Sequence, residues 1–164
     1  MYLSIRELTK YLPQIEGVHY KPFSFQDCID IDSGEFEGYS VQRLHGAQKV
    51  LEMQAEHGFA FTAFLYGKPV ASFGVALIWN GVGEMWAVIG DTARTKPFAM
   101  TKIGILFADM AEISLGLHRL QITVKTSDNR AVRWARAIGF ISECTLKAYS
   151  EDKEDYEMMS RRIL

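Results

Sequence analysis

The sequence predicts an α+β domain, a mixed and mostly antiparallel sheet flanked by helices. Three observations carry this. Apolar runs at residues 59–66, 70–78 and 84–89 are separated only by turn residues, which reads as an antiparallel meander. A long helix with an apolar face, residues 97–116, stands between the third run and an alternating apolar run at 120–125. A helical crossover joins parallel strands, so one parallel pair is expected inside the antiparallel sheet.

In chain order, residues 1–12 read as a strand followed by a short helical turn. Residues 13–38 read as an irregular, acidic arm (Asp27, Asp30, Asp32, Glu35, Glu37) with a short helix near 25–31. Val41, Leu44, Ala47 and Leu51 recur at helical spacing within residues 40–57, and Gly58 stands at the stop. Gly67-Lys68-Pro69 turns the first hairpin; Asn80-Gly81 with Gly83 turns the next. In the 97–116 helix, Ile103, Leu106, Phe107, Met110 and Ile113 form one face, with Gly116 as the stop. After the strand 120–125 come a polar turn, a helix at 129–138, and closing strands near 140–149 and 156–163.

A chain of 164 residues suits one domain, and no linker, repeat or low-complexity stretch divides it. With 48% hydrophobic and 12% aromatic residues it has the material for a core. A formal charge of −2 supplies no global field for nucleic acid or anionic membrane, although Arg130, Arg133 and Arg136 cluster locally. Cys28 and Cys144 form no CxxC or Cys/His spacing and read as reduced thiols. The start MYLSIRELTKYL mixes charges into its apolar residues, and no run approaches the ~20 apolar residues of a membrane span. A soluble, cytoplasmic protein is expected.

The stretch LQITVKTS followed by DNRAVRWARAIGF resembles the C-terminal half of GNAT-type N-acetyltransferases. The likeness covers residues 59–164 well, while residues 1–40 form a divergent N-terminal arm. The resemblance implies a GNAT, acyl-CoA N-acyltransferase-like fold, acetyl-CoA as cosubstrate and no metal. It implies transfer of the acetyl group to a primary amine of a small molecule or protein by direct attack.

On that resemblance, the pyrophosphate cradle R/Q-x-x-G-x-G/A falls on Arg94-Thr95-Lys96-Pro97-Phe98-Ala99. Arg94 and Ala99 fit, Lys96 adds charge, and Thr101 follows in the first turn; Pro97 replaces a glycine and has no N–H to donate. The strand at 84–89 would lie beside the pantetheine arm, with Trp86, Val88 and Ile89 offering backbone groups, and Glu84 falls within a residue of the family's general base. Asp128 takes the family's Asn position; Asn129, one step on, takes it if the turn is shifted. Ala135 stands where a tyrosine often protonates the departing thiolate. Each residue also has a plainer reading: solvated loop charges for Arg94 and Lys96, an exposed strand-start charge for Glu84, an ordinary helix start for Pro97. Tyr149 and Tyr156 read as hairpin packing near the region where relatives bind acceptors. His19, His45, His57 and His118 share no ligand spacing.

A narrower resemblance is to small GNAT-like proteins of tailed bacteriophages. It rests on Leu65-Tyr66-Gly67 with Pro69 and Ala71, Met85-Trp86 with Val88, Asp91, and the run from Arg133-Trp134 to Ile138-Gly139. It implies a second class of function: a non-catalytic module with an eroded CoA site, packed in a virion or bound to a host protein. A homodimer is compatible with either class. The acidic arm suits a cationic amine, and solvated loop charge is the preferred, plainer explanation of it.

Overall fold

The computed structural model describes residues 5–32 and 41–162. The elements are α1 (Ile5–Leu8), β1 (Val18–Pro22), α2 (Phe25–Ile29), α3 (Val41–Glu56), β2 (Gly58–Leu65), β3 (Lys68–Trp79) and β4 (Val82–Ile89). They continue as α4 (Asp91–Arg94), α5 (Pro97–Ser114), β5 (Arg119–Lys125), α6 (Asn129–Ala137), β6 (Ile141–Leu146) and β7 (Tyr156–Arg162). The seven strands form one sheet in the order β1-β2-β3-β4-β5-β7-β6. Among the described strands only β4 and β5 pair in parallel, as the α5 crossover requires.

One expectation for the N-terminal third needs correction. The helical turn expected within residues 1–12 is α1, with residues 1–4 outside the described residues, and the arm read as irregular holds a strand, β1. β1 is an edge strand that pairs with β2 alone and ends in Pro22, so it lacks the continuous apolar run of a central strand. The short helix near 25–31 is α2, capped where the Asp27 N–H donates to Ser24 Oγ. Glu35 and Glu37 lie outside the described residues.

Hydrophobic packing divides between the faces of the sheet. On one, Phe107 of α5 sits at the centre of a ring cluster, with centroids 5.4 Å from Phe59, 5.1 Å from Phe61 and 6.1 Å from Phe73. Such pairs contribute about 0.5–1.5 kcal/mol each beyond area burial. Ile103, Ala108 and Ala111 of α5 join this core with Leu120, Ile122, Ala135 and Ile138. Gly104 lets α6 approach: a Cβ there would meet both Ile138 and Trp134 side chains at 2.8 Å. On the other face, Val88 packs with Cys28, Ile31 and Leu51. Neither cysteine is in a disulfide; Cys28 is buried and Cys144 exposed.

The helical face assigned to α5 is rotated from expectation. Its buried residues are Met100, Ile103, Gly104, Phe107, Ala108, Ala111 and Glu112, whereas Ile113 is 79% exposed. Small residues complete the buried stripe at 104, 108 and 111, and a reading weighted to large apolar side chains passes over them. Glu112 enters because Arg161 of β7 lies 3.1 Å away; burial still raises its carboxyl pKa.

The parallel ladder is short. β4 and β5 are joined only at Val82↔Arg119, Gly83↔Leu120 and Glu84↔Gln121. Beyond this, β4 stays with β3 as far as Ile89↔Ala71, and β5 stays with β7 as far as Lys125↔Tyr156. Each strand follows its outer partner, and the sheet opens into a V.

Candidate active site

The V is the mouth of a cleft of about 1140 Å³. Its walls come from Met85 to Ile89 on one side and from Ile122, Thr123, Val124 and Lys125 on the other, excepting Val88. The starts of α5 and α6 close one face with Pro97, Met100, Thr101, Ala131 and Trp134. Past the last rung, the facing edges of β4 and β5 lack a mutual ladder, and backbone groups on such edges seek another partner.

Glu84, Trp86, Ile89, Arg94, Thr101 and Asp128 all line this one cleft, although they span forty-five positions of chain. Others stand apart. The Val88 side chain is 5% exposed and turned into the second cluster, leaving it only a backbone role. Strand alternation explains this, since Val88 shares its face with Trp86 and lies where α2 and α3 cover the sheet. Lys96 is exposed at the N-cap of α5, and neither it nor Ala99 is part of the cleft lining. Asn129 is exposed as the first residue of α6, also outside the lining, so the unshifted alignment brings Asp128 to the cleft.

Glu84 stands on the last rung before the opening. Gln121 Nε2 donates to its Oε2 at 3.4 Å. The orientation of that amide is set from behind: Arg119 Nε donates to Gln121 Oε1 at 2.9 Å. A guanidinium can only donate, so the amide oxygen must face it and the NH₂ must face Glu84. Arg119 is itself held by a two-pronged bond to Glu143, at 2.9 and 2.7 Å, and Ser160 Oγ donates to the same carboxylate at 2.6 Å. The Arg119 bond first, then the Ser160 bond, pull the Glu143 carboxyl down to about 2.

Arg94 and Asp128 face each other across the cleft, Nη2 to Oδ2 at 3.9 Å, with side chains 12% and 7% exposed. Asp128 also caps α6, accepting the Ala131 N–H at 3.0 Å. At the α5 start, Met100 N–H reaches Lys96 O, so the helix has no internal acceptor for the N–H groups of Phe98 and Ala99. Pro97 gives none. Buried indole N–H groups of Trp86 and Trp134, both lining the cleft, have no hydrogen-bond partner.

Several residues of the site went unassigned by sequence reasoning. Gln121, outside the lining but bonded to Glu84, is the clearest, a polar residue in an alternating strand that reads as its solvent side. The loop between β6 and β7 brings Glu151, Asp152 and Glu154 to the lining beside Tyr149 and Tyr156, whose rings lie 5.3 Å apart. The acidic run 151–155 and the two tyrosines were the available signal. Basic lining comes from α4, β5 and α6 (Arg94, Lys125, Arg130, Arg133) and acidic lining from β4, the α6 N-cap and this loop (Glu84, Asp128, Glu151, Asp152, Glu154). Ala135 is fully buried on the inner face of α6 and has no side-chain proton to give. Among the described residues no group of three His, Cys, Asp or Glu side chains is placed to hold a metal ion, and no described helix is long and apolar enough to cross a membrane.

These features suit coenzyme A. Open strand edges can receive the amides of a pantetheine arm, Arg94 and the α5 start offer donors for a pyrophosphate, and Pro97 removes one donor of the usual set.

No protein-family model matches the sequence, and no curated protein matches it. Solved structures do match along nearly the whole chain. An acetyltransferase of the GNAT family from Streptococcus pneumoniae has a TM-score of 0.64 at 19% identity, covering 90% of this chain and 99% of its own. The yncA protein of Salmonella typhimurium, solved with its cofactor acetyl-CoA, has a TM-score of 0.64 at 11% identity, over 90% and 94%. A spermidine N-acetyltransferase, the SpeG chimera from Vibrio cholerae and hSSAT, has a TM-score of 0.65 at 17% identity, over 90% and 96%. At these identities the likeness is one of architecture, and it agrees with the sheet order, the α5 crossover and the β4–β5 opening: this chain has the GNAT acyl-CoA N-acyltransferase fold.

Proposed function

We propose that this protein is an N-acetyltransferase that moves an acetyl group from acetyl-CoA to a primary amine by direct attack. The observation that carries the reading is the opening of the sheet directly after Glu84↔Gln121, with Arg94 and the α5 start at its rim. Acetyl-CoA supplies the activated thioester. The chain supplies position and proton acceptance. Backbone groups of the strand edges align the pantetheine, and Arg94 with the Phe98 and Ala99 N–H groups receives the pyrophosphate.

Glu84 accepts a proton from the incoming ammonium, directly or through one water, and the freed amine attacks the thioester carbonyl carbon. A C–N bond forms, the C–S bond breaks, and the second proton of the attacking nitrogen passes through solvent to the CoA thiolate, because Ala135 cannot provide one. The acceptor enters past Tyr149, Tyr156 and the acidic 151–155 loop, a surface that favours a cationic amine over an anionic one. A polyamine, the substrate class named for one of the similar structures, meets that requirement, and so does a protein amine.

Thermal unfolding with CoA tests the cofactor half. A true site at a hundredfold excess over Kd stabilises by about 2.7 kcal/mol, which is roughly 5–10 °C for a domain of this size. No shift at millimolar acetyl-CoA contradicts the reading. Thiol release with a panel of amines then tests transfer.

Two features favour a second reading, a non-catalytic module such as a phage virion component: Pro97 removes a cradle donor, and the Asp128 carboxylate sits against Arg94. That reading expects neither CoA stabilisation nor thiol release.

A further inference from the structure

α4 is a single turn, too short to hold its own conformation, and it carries Arg94 into the cleft. Its N-cap is Gly90, which has no side chain to satisfy the first N–H groups. That task falls to a residue sixty positions upstream. The Asp32 carboxylate accepts the Thr92 N–H at 3.1 Å and the Thr92 hydroxyl at 2.7 Å, and the Asp32 carbonyl accepts the Asp91 N–H at 2.8 Å.

Three donors of one turn therefore end on one residue of the N-terminal arm. The seat is close: a Cβ on Gly90 would come within 2.2 Å of Asp32 Oδ1, 2.8 Å of Ile31 Cγ2 and 2.9 Å of Val70 O. Glycine at 90 is thus required by Asp32 and its neighbour. The arm is anchored in turn, with Ile31 and Cys28 buried in the cluster that holds Val88 of β4.

From α4 the geometry runs directly to the cofactor elements. Arg94 N–H donates to Gly90 O, Thr95 Oγ donates to Thr92 O at 2.6 Å, and Lys96 N–H donates to Ala93 O, which delivers the chain to the start of α5. We infer that Asp32 is a positioning residue of the cofactor cleft: it caps α4 from the arm and so fixes where Arg94 and the α5 N-terminus stand. Asp32 touches no cofactor itself. The inference rests on the cleft receiving CoA, and it adds that the N-terminal arm sets the affinity.

Calorimetric titration of CoA into the full-length chain tests it, with each variant's melting temperature recorded alongside. Asp32→Ala weakens CoA at least fivefold. Asp32→Asn, whose amide oxygen still accepts from Thr92, restores most of that loss, and Thr92→Val, which deletes only the hydroxyl bond, weakens binding at least twofold. Because Asp32 acts through Arg94, the Asp32→Ala, Arg94→Ala double variant loses less than the product of the two single losses. Wild-type binding with Asp32→Ala within twofold of it overturns the inference alone, as does full additivity. Should Asp32→Ala fail to fold, an unchanged Kd in Thr92→Val overturns it. A wild-type chain that does not bind CoA overturns the functional reading, and this inference with it.

Discussion

Glu84 and Gln121 face each other on the last rung that joins β4 to β5, the Gln121 amide nitrogen 3.4 Å from the Glu84 carboxylate. Immediately past that pair the strands part. The proposed proton acceptor is thus placed at the apex of the V, and a neutral donor faces it instead of a second charge. The chain of bonds behind Gln121, through Arg119 to Glu143 and Ser160, ties β5, β6 and β7 to that point.

Glu84→Gln removes the proton acceptor and keeps the shape. Turnover of an amine acceptor is expected to fall by ~10²–10⁴, while the CoA dissociation constant stays within twofold. Steady-state kinetics beside calorimetry check this; equal turnover assigns Glu84 a structural role only.

Arg94 and Asp128 pull in opposite directions on a bound pyrophosphate. Arg94→Ala weakens CoA by about tenfold or more, the loss of one charge-assisted bond of roughly 1.5–3 kcal/mol. Asp128→Asn keeps an oxygen for the Ala131 cap, removes the negative charge 3.9 Å from Arg94, and tightens CoA severalfold. Titrations at low and high salt check both, since the Asp128 effect shrinks with screening if it is electrostatic.

The Glu143 carboxyl, held at about 2 by Arg119 and Ser160, lies below its unfolded range of roughly 4.3. A depressed carboxylate adds stability above the unfolded value and loses it as pH falls toward the folded one. The stability gap between wild type and Glu143→Gln is therefore present at neutral pH and closes between about pH 4.3 and 2. Partial exposure keeps the gap modest. Urea midpoints across this window check it; a gap that persists at pH 2 contradicts the assignment.

Two α5 substitutions test which face is buried. Phe107→Ala costs about 3–5 kcal/mol, because its ring meets three other phenylalanines. Ile113→Ser stays within about 0.5 kcal/mol, because Ile113 points to solvent. Denaturant titration separates them.

Much of this architecture was legible because its signals are local. The turns at Gly67 and Gly81 and the length of α5 are enough to give a meander followed by one parallel crossover. Arg94, Thr101 and Asp128 were singled out by position in a pattern, and all three line the cleft. What escaped depends on partners distant in sequence. Val18 to Pro22 becomes a strand only because β2 offers it an edge. Gln121 gains meaning only opposite Glu84, and Asp32 only beneath Gly90. Ile113 was misjudged for a related reason: helical spacing says which residues share a face, and the covering elements decide which face is inside.

The central claim is that the gap between β4 and β5 receives coenzyme A. Amide hydrogen exchange with and without CoA tests it most directly. Slowed exchange at residues 85–89 and 122–125, together with Phe98 and Ala99, is the predicted result. Unchanged exchange there, or protection confined to the cavity between α3 and β2 around Glu56 and Phe59, contradicts it.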